Sequence, residues 1–190
     1  MVEPTRVTNF DRTYDELIEF LTFCICVAGK NSDVVARKIN ALTKERDFFY
    51  CMYNYPLTED GLWEMYMYEM LIKHRVGQYN RIMRALRAIA QLDLQNCSLE
   101  ELLAIKGVGP KTACFFLLHS RPNQDLVVID THVLKFYSDY AKSHTKRPPS
   151  KWQDYVALAK AIVKAIRESF PNMTLAEADL TIWKQYSGRA

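Results

Sequence analysis

At 190 residues, 49% of them hydrophobic and 25% charged, the chain can bury a real core in one or two domains and is neither a disordered nor a fibrous polymer. Six glycines and seven prolines are too few for an all-β design with many tight turns. The net charge of +3 conceals an uneven split: residues 1–70 hold 7 Lys and Arg against 12 Asp and Glu, and residues 71–190 hold 18 against 10, so the basic part suits an anionic partner.

No run of 18 apolar residues is available for a membrane span, and the opening MVEPTRVTNFDRTYDE lacks the apolar stretch of a signal peptide. The expectation is a soluble, monomeric, intracellular protein of the cytoplasm, nucleoid or nucleus, with no membrane partner. The cysteines Cys24, Cys26, Cys51, Cys97 and Cys114 are odd in number and irregularly spaced, and form no CxxC or CxxH pair. They read as reduced thiols packed as small hydrophobes, not as zinc ligands.

The pattern is helical nearly throughout. Thr13 with Glu16, Ser98 with Glu101, Ser150 with Gln153 and Thr174 with Glu177 have the spacing of capping boxes, and each predicts a helix start. Thr13 opens an apolar helix through Leu17, Leu21, Ile25 and Val27, ended by Gly29. Ser32 is placed to cap a second helix carrying Val35, Ile39 and Leu42. After a turn at Asn54-Tyr55-Pro56, a helix is predicted from Thr58 to about His74. Another follows from about Gln78 to Leu92, with Ile82, Leu86 and Ile89 on an apolar face and Arg81, Arg84 and Arg87 on a basic one.

Helices over 98–105, 110–120, 131–143, 150–169 and 175–186 bring the expected number to about nine. The strand-like run Leu126-Val127-Val128-Ile129 is too short and solitary for a sheet, so the fold class is all-α. HTKRPPSK, from His144 to Lys151, reads as a basic, proline-broken solvated loop whose charge also suits a phosphate backbone.

Residues 99–119 read LEELLAIKGVGPKTACFFLLH. A short helix meets Lys106-Gly107-Val108-Gly109, and a second begins with Pro110 at its first position, where the missing N–H costs nothing. The two glycines permit left-handed or closely approached backbone. The second helix would turn its free N–H groups and positive dipole end outward, a way to hold phosphate without reading sequence. An ordinary glycine-containing turn between helices is the plainer reading of these four residues alone.

IKGVGPKTA resembles the hairpin of the helix-hairpin-helix DNA glycosylase superfamily, which includes endonuclease III and the 8-oxoguanine glycosylases. The second half of that signature is present as Val127-Val128-Ile129-Asp130-Thr131-His132-Val133, with Asp130 standing 19 residues after Lys111. Ala28-Gly29-Lys30 and Ala178-Asp179-Leu180-Thr181-Ile182-Trp183 look like the 8-oxoguanine-related branches.

The resemblance implies two helical lobes with the active site in the cleft between them. A six-helix domain would span residues 30–125, with the helix-hairpin-helix at about 99–119, and residues 1–29 plus 126–190 would form the second lobe. It implies a base-excision-repair glycosylase with AP-lyase activity that removes an oxidised base, 8-oxoguanine being favoured, from double-stranded DNA. Lys111 would attack the sugar C1′ and form a Schiff base, and Asp130 would stabilise the developing positive charge and move protons. The helix start should ease deprotonation of Lys111, although DNA phosphates oppose this. Asp130 also suits a helix N-cap, a role compatible with catalysis.

His132 reads as structural. Lys106, Gly107, Val108 and Gly109 would meet phosphate, and Lys30 and Asn31 stand roughly where relatives fill the gap left by an extruded base, or else form a plain loop. A monovalent cation on the backbone carbonyls of Leu103, Ile105 and Val108 is implied in the same way; no other cofactor is required. Endonuclease III holds an iron–sulfur cluster with four C-terminal cysteines, and no cysteine follows Cys114, so no cluster is expected. Trp152, Trp183, Phe115 and Phe116 are available to stack on a base, though aromatics at helical spacing are more often core. The alternatives are a monofunctional glycosylase for another lesion or mismatch, and a non-catalytic helix-hairpin-helix DNA-binding module, which would need no Lys111 and Asp130 pair.

Overall fold

The computed structural model describes residues 1–54, 61–142 and 147–188. Among them are ten helices and no strand: α1 (Tyr14–Cys26), α2 (Ser32–Leu42), α3 (Arg46–Asn54), α4 (Leu62–Lys73), α5 (Tyr79–Ile89), α6 (Leu99–Ala104), α7 (Pro110–Ser120), α8 (Thr131–Ala141), α9 (Trp152–Ser169) and α10 (Leu175–Ser187). The all-α class is as expected, and the run 126–129 is extended without strand pairing.

Three of the four expected capping boxes form, at Thr13, Ser98 and Thr174, each with both of its reciprocal hydrogen bonds. The fourth does not. Helix α9 begins one residue late, at Trp152, with Lys151 as an N-cap that makes no side-chain cap bond. At α2 the cap is Asn31, not Ser32; its Oδ1 accepts from the N–H groups of Asp33 and Val34 at 3.1 Å each. Helix α3 was not foreseen, because RDFFYCMYN has neither a capping box nor a clean apolar stripe. Thr58, the expected start of the next helix, lies outside the described residues, as do Ser143, the expected end of the 131–143 helix, and residues 144–146 of the basic connection.

The chain divides into two compact units. The first is Met1–Val7 with Asp11–Val108, and the second is Thr8–Phe10 with Gly109–Ala190. This division differs from the expected 30–125 domain: residues 11–29 join the first unit, and the break falls inside the hairpin.

In the first unit every residue of α1 from Leu17 to Cys26 is buried, so α1 is a central helix and not an amphipathic surface one. It packs on α2 and α5, while α4 packs on α3 and α5. On α5 the face of Ile82, Leu86 and Ile89 is buried as expected. Arg81 departs from the expected solvated basic side. It is half-buried, and its guanidinium donates to the carbonyl of Ile25 on α1. In the second unit α10 packs on α7, α8 and α9. Leu118, Val128 and Ala176 form a buried cluster there, with Phe115 and Leu175 against it. All five cysteines are buried and none is in a disulfide.

Candidate active site

Helix α6 leaves helical geometry at Ile105, whose carbonyl accepts the Val108 N–H at 3.0 Å and closes the turn. Gly107 sits at φ +107°, and a Cβ added there would lie 3.0 Å from Cγ of Arg81. A side chain would therefore meet both backbone strain and a collision, which is the physical reason for glycine here. Lys106 and Gly109 are exposed, whereas the Val108 side chain is buried, leaving only its backbone to face a ligand.

In the second unit Gly109 is an N-cap with no side chain to bond the first turn of α7, and Pro110 follows. The first-turn N–H groups thus have no capping side chain. Lys111 is the second residue of this helix and is half-buried.

Asp130 caps α8. Its Oδ1 accepts from the N–H groups of His132 and Val133 at 2.8 Å each, which fixes the carboxylate's direction. The residues before it are held from α9: the buried Tyr155 hydroxyl donates to the Val127 carbonyl and accepts from the Ile129 N–H, each at 2.8 Å.

The same unit holds a buried polar chain that the sequence reading did not single out. The His119 ring on α7 is fully buried; its Nδ1 is 2.8 Å from Oγ1 of Thr8 and its Nε2 is 3.1 Å from Oδ2 of Asp179 on α10. Phe115 stands edge-on to that ring, with centroids 5.0 Å apart. The Asn9 N–H donates to the His119 carbonyl at 3.1 Å, which ties Thr8–Phe10 to this unit. Burial pushes the Asp179 carboxyl above its ordinary value, and the hydrogen bond and charge of His119 oppose that. Asp130 raises it further and Lys111 lowers it. Lys111 and Asp130 thus both lie within electrostatic range of Asp179.

The available signals for this chain were a histidine ending the apolar run CFFLLH and an aspartate inside Ala178–Trp183. Neither is interpretable without knowing that α7 and α10 touch.

Other candidate residues have work of their own. The Lys30 ammonium donates to the Val76 carbonyl at 2.7 Å, and burial lowers its pKa. Asn31 is occupied as the α2 cap. Both belong to the first unit. His132 is half-buried, and its Nδ1 has no hydrogen-bond partner among the described residues. Phe116 is core, and Trp152 stacks on Tyr155 at 5.8 Å between centroids. Among the described residues no group of three or more His, Cys, Asp or Glu could hold a metal, and no helix is long and apolar enough to cross a membrane. Carbonyl ligation by Leu103, Ile105 and Val108 would use neutral oxygens, one of which already accepts a turn hydrogen bond.

The fold matches, with a TM-score of 0.68 over 96% of this chain and 88% of the other, the crystal structure of the Methanocaldococcus jannaschii 8-oxoguanine glycosylase/lyase in complex with a 15mer DNA containing 8-oxoguanine. At 21% identity this likeness defines the class by its fold alone, an all-helical protein with a helix-hairpin-helix motif. Residues 4–170 match the family model Ogg-HhH, 8-oxoguanine DNA glycosylase, and the chain belongs to that family. A curated relative from Metallosphaera sedula, "8-oxoguanine DNA glycosylase/AP lyase", is 32% identical over 90 residues, which are 47% of this chain and 42% of that protein. The match therefore spans less than half the length of that relative.

Proposed function

We propose that the protein is a bifunctional DNA glycosylase and AP lyase that removes an oxidised purine, 8-oxoguanine, from double-stranded DNA. The observation carrying this reading is the pair formed by Lys111, second residue of the helix that opens after the glycine turn with no side-chain cap, and Asp130, whose carboxylate direction is fixed by its two bonds to the start of α8. A module that only grips phosphate needs the turn and the dipole of α7, and has no need of Lys111 and Asp130 together.

The target nucleotide would leave the stack, at a cost of roughly a few kcal/mol, while Lys106 and the first-turn N–H groups of α7 hold backbone phosphate. The neutral Lys111 amine attacks C1′ and forms an N–C1′ bond as the glycosidic bond breaks and the base departs with the bonding pair. Ring opening gives the protonated imine, loss of a C2′ proton then expels the 3′ phosphate, and hydrolysis returns the amine. Asp130 has Oδ1 committed to α8, so its other oxygen is the one that faces developing positive charge and takes protons. Lys30 and Asn31 would act near the gap left by the base. A monovalent cation on the carbonyls of Leu103, Ile105 and Val108 would stiffen the turn from below, and no further cofactor is called for.

Borohydride trapping on duplexes holding 8-oxoguanine, an oxidised pyrimidine, a mismatched thymine or an abasic site tests this. An adduct on the 8-oxoguanine duplex, lost in Lys111→Gln with DNA binding retained, is the expected result. An adduct unaffected by Lys111→Gln would place the nucleophile elsewhere. Binding with no adduct on any duplex would replace this reading with a monofunctional glycosylase or a binding module.

A further inference from the structure

Two segments carry the reacting pair, and one buried tyrosine bonds one of them and lies against the other. The extended run 126–129 has no strand partner, so its backbone polar groups must be satisfied by something else. Tyr155, 1% exposed, supplies that from α9 by donating to Val127 and accepting from Ile129. The next N–H, that of Asp130, closes back on the Val128 carbonyl at 2.9 Å. These three bonds define where the chain turns into α8, and so where the Asp130 carboxylate starts. On the other side, the buried Cys114 thiol lies against the same tyrosine. Cys114 sits three residues after Lys111 on α7, on the same helix face.

We propose that Tyr155 is a positioning residue that sets where Asp130 stands relative to Lys111, by fixing the entry to α8 through Val127 and Ile129 while its ring side packs against Cys114 of α7. The surroundings keep the hydroxyl in this role. Trp152 stacks on the ring with planes 19° apart, and desolvation drives the phenol far above its ordinary range and the Cys114 thiol up to about 11, so neither ionises at neutral pH. A neutral phenol with one proton and an accepting oxygen satisfies a carbonyl and an N–H together, which neither a phenylalanine nor an ionised tyrosine does.

This inference rests on Lys111 and Asp130 being the reacting pair, so the experiment begins by trapping the wild type and Lys111→Gln; failure at that step overturns the proposed function itself. With that step passed, Tyr155→Phe keeps the ring and removes the bonds. The expected result is a native helical spectrum and an affinity for an abasic-analogue duplex within about threefold of wild type, with a single-turnover excision rate reduced about tenfold or more. A rate within twofold of wild type, or a loss confined to binding, overturns the proposal. Should Tyr155→Phe fail to fold, Cys114→Ala decides, because it removes only the α7 side of the contact. A fall in rate of about threefold at unchanged affinity supports the proposal, and an unchanged rate overturns it.

Discussion

The turn 105–109 and the entry to α8 serve the same proposed chemistry and are built in opposite ways. The turn is held by backbone geometry: one i to i+3 hydrogen bond from Val108 to Ile105, one glycine at φ +107°, and a proline opening the next helix. The entry to α8 is held by a buried polar side chain from afar, Tyr155, at 25 residues' remove from Asp130. A backbone-built element tolerates changes in its surroundings and fails when its own residues change. An element built from distant side chains fails from a distance, and its failure is graded.

Four measurements sharpen or break that contrast. Asp130→Asn preserves an N-capping oxygen but not the charge, so thermal stability should stay within about 0.5 kcal/mol of wild type while excision falls roughly a hundredfold or more. A loss of stability equal to that of Asp130→Ala, with excision intact, would reduce Asp130 to a cap. Gly107→Val forces a β-branched residue to positive φ against Arg81, at a cost of about 1–3 kcal/mol, a fall in Tm of several degrees. Binding should weaken on damaged and undamaged duplexes alike, and a loss confined to damaged DNA would contradict a phosphate-gripping turn.

Asp179 gives a pH test with a definite sign. Burial raises its folded-state pKa above the ordinary 3.8, so the folded state holds the proton more tightly than the unfolded chain does. Its contribution to stability is present below that ordinary value and is lost as pH rises through the folded value. Thermal melts of wild type and Asp179→Asn should therefore diverge with increasing pH in the variant's favour, and a constant difference across the acid-to-neutral range would break the account. The smallest effect belongs to the caps. Thr174→Ala should cost about 1 kcal/mol through its lost capping box, and Ser150→Ala should stay within about 0.5 kcal/mol, because α9 does not use it.

Much of the molecule was legible from local pattern. Three capping boxes, the apolar face of α5, the Lys106–Pro110 turn and the cap at Asp130 all depend on residues within one or two helical turns, where spacing alone decides the hydrogen bonds. Helix α3 was missed because its formation depends on burying Phe48, Cys51 and Met52 against other elements and not on a start signal. Arg81 was misjudged for a related reason. Helical periodicity places it on a basic face, but the carbonyl of Ile25 and the backbone of Gly107 occupy that side.

The chain by itself determined an all-helical protein and the position of its hairpin, because each is encoded in short-range spacing, whereas the roles proposed for Lys111 and Asp130 came from the resemblance of their motifs to a family. Only the tertiary structure decided where the compact units divide, that His119 joins Thr8 to Asp179, and that Tyr155 bonds the segment leading into Asp130. Those are pairings of buried polar groups brought together by packing, and a buried donor or acceptor takes whichever partner the fold places beside it, at no fixed distance along the chain.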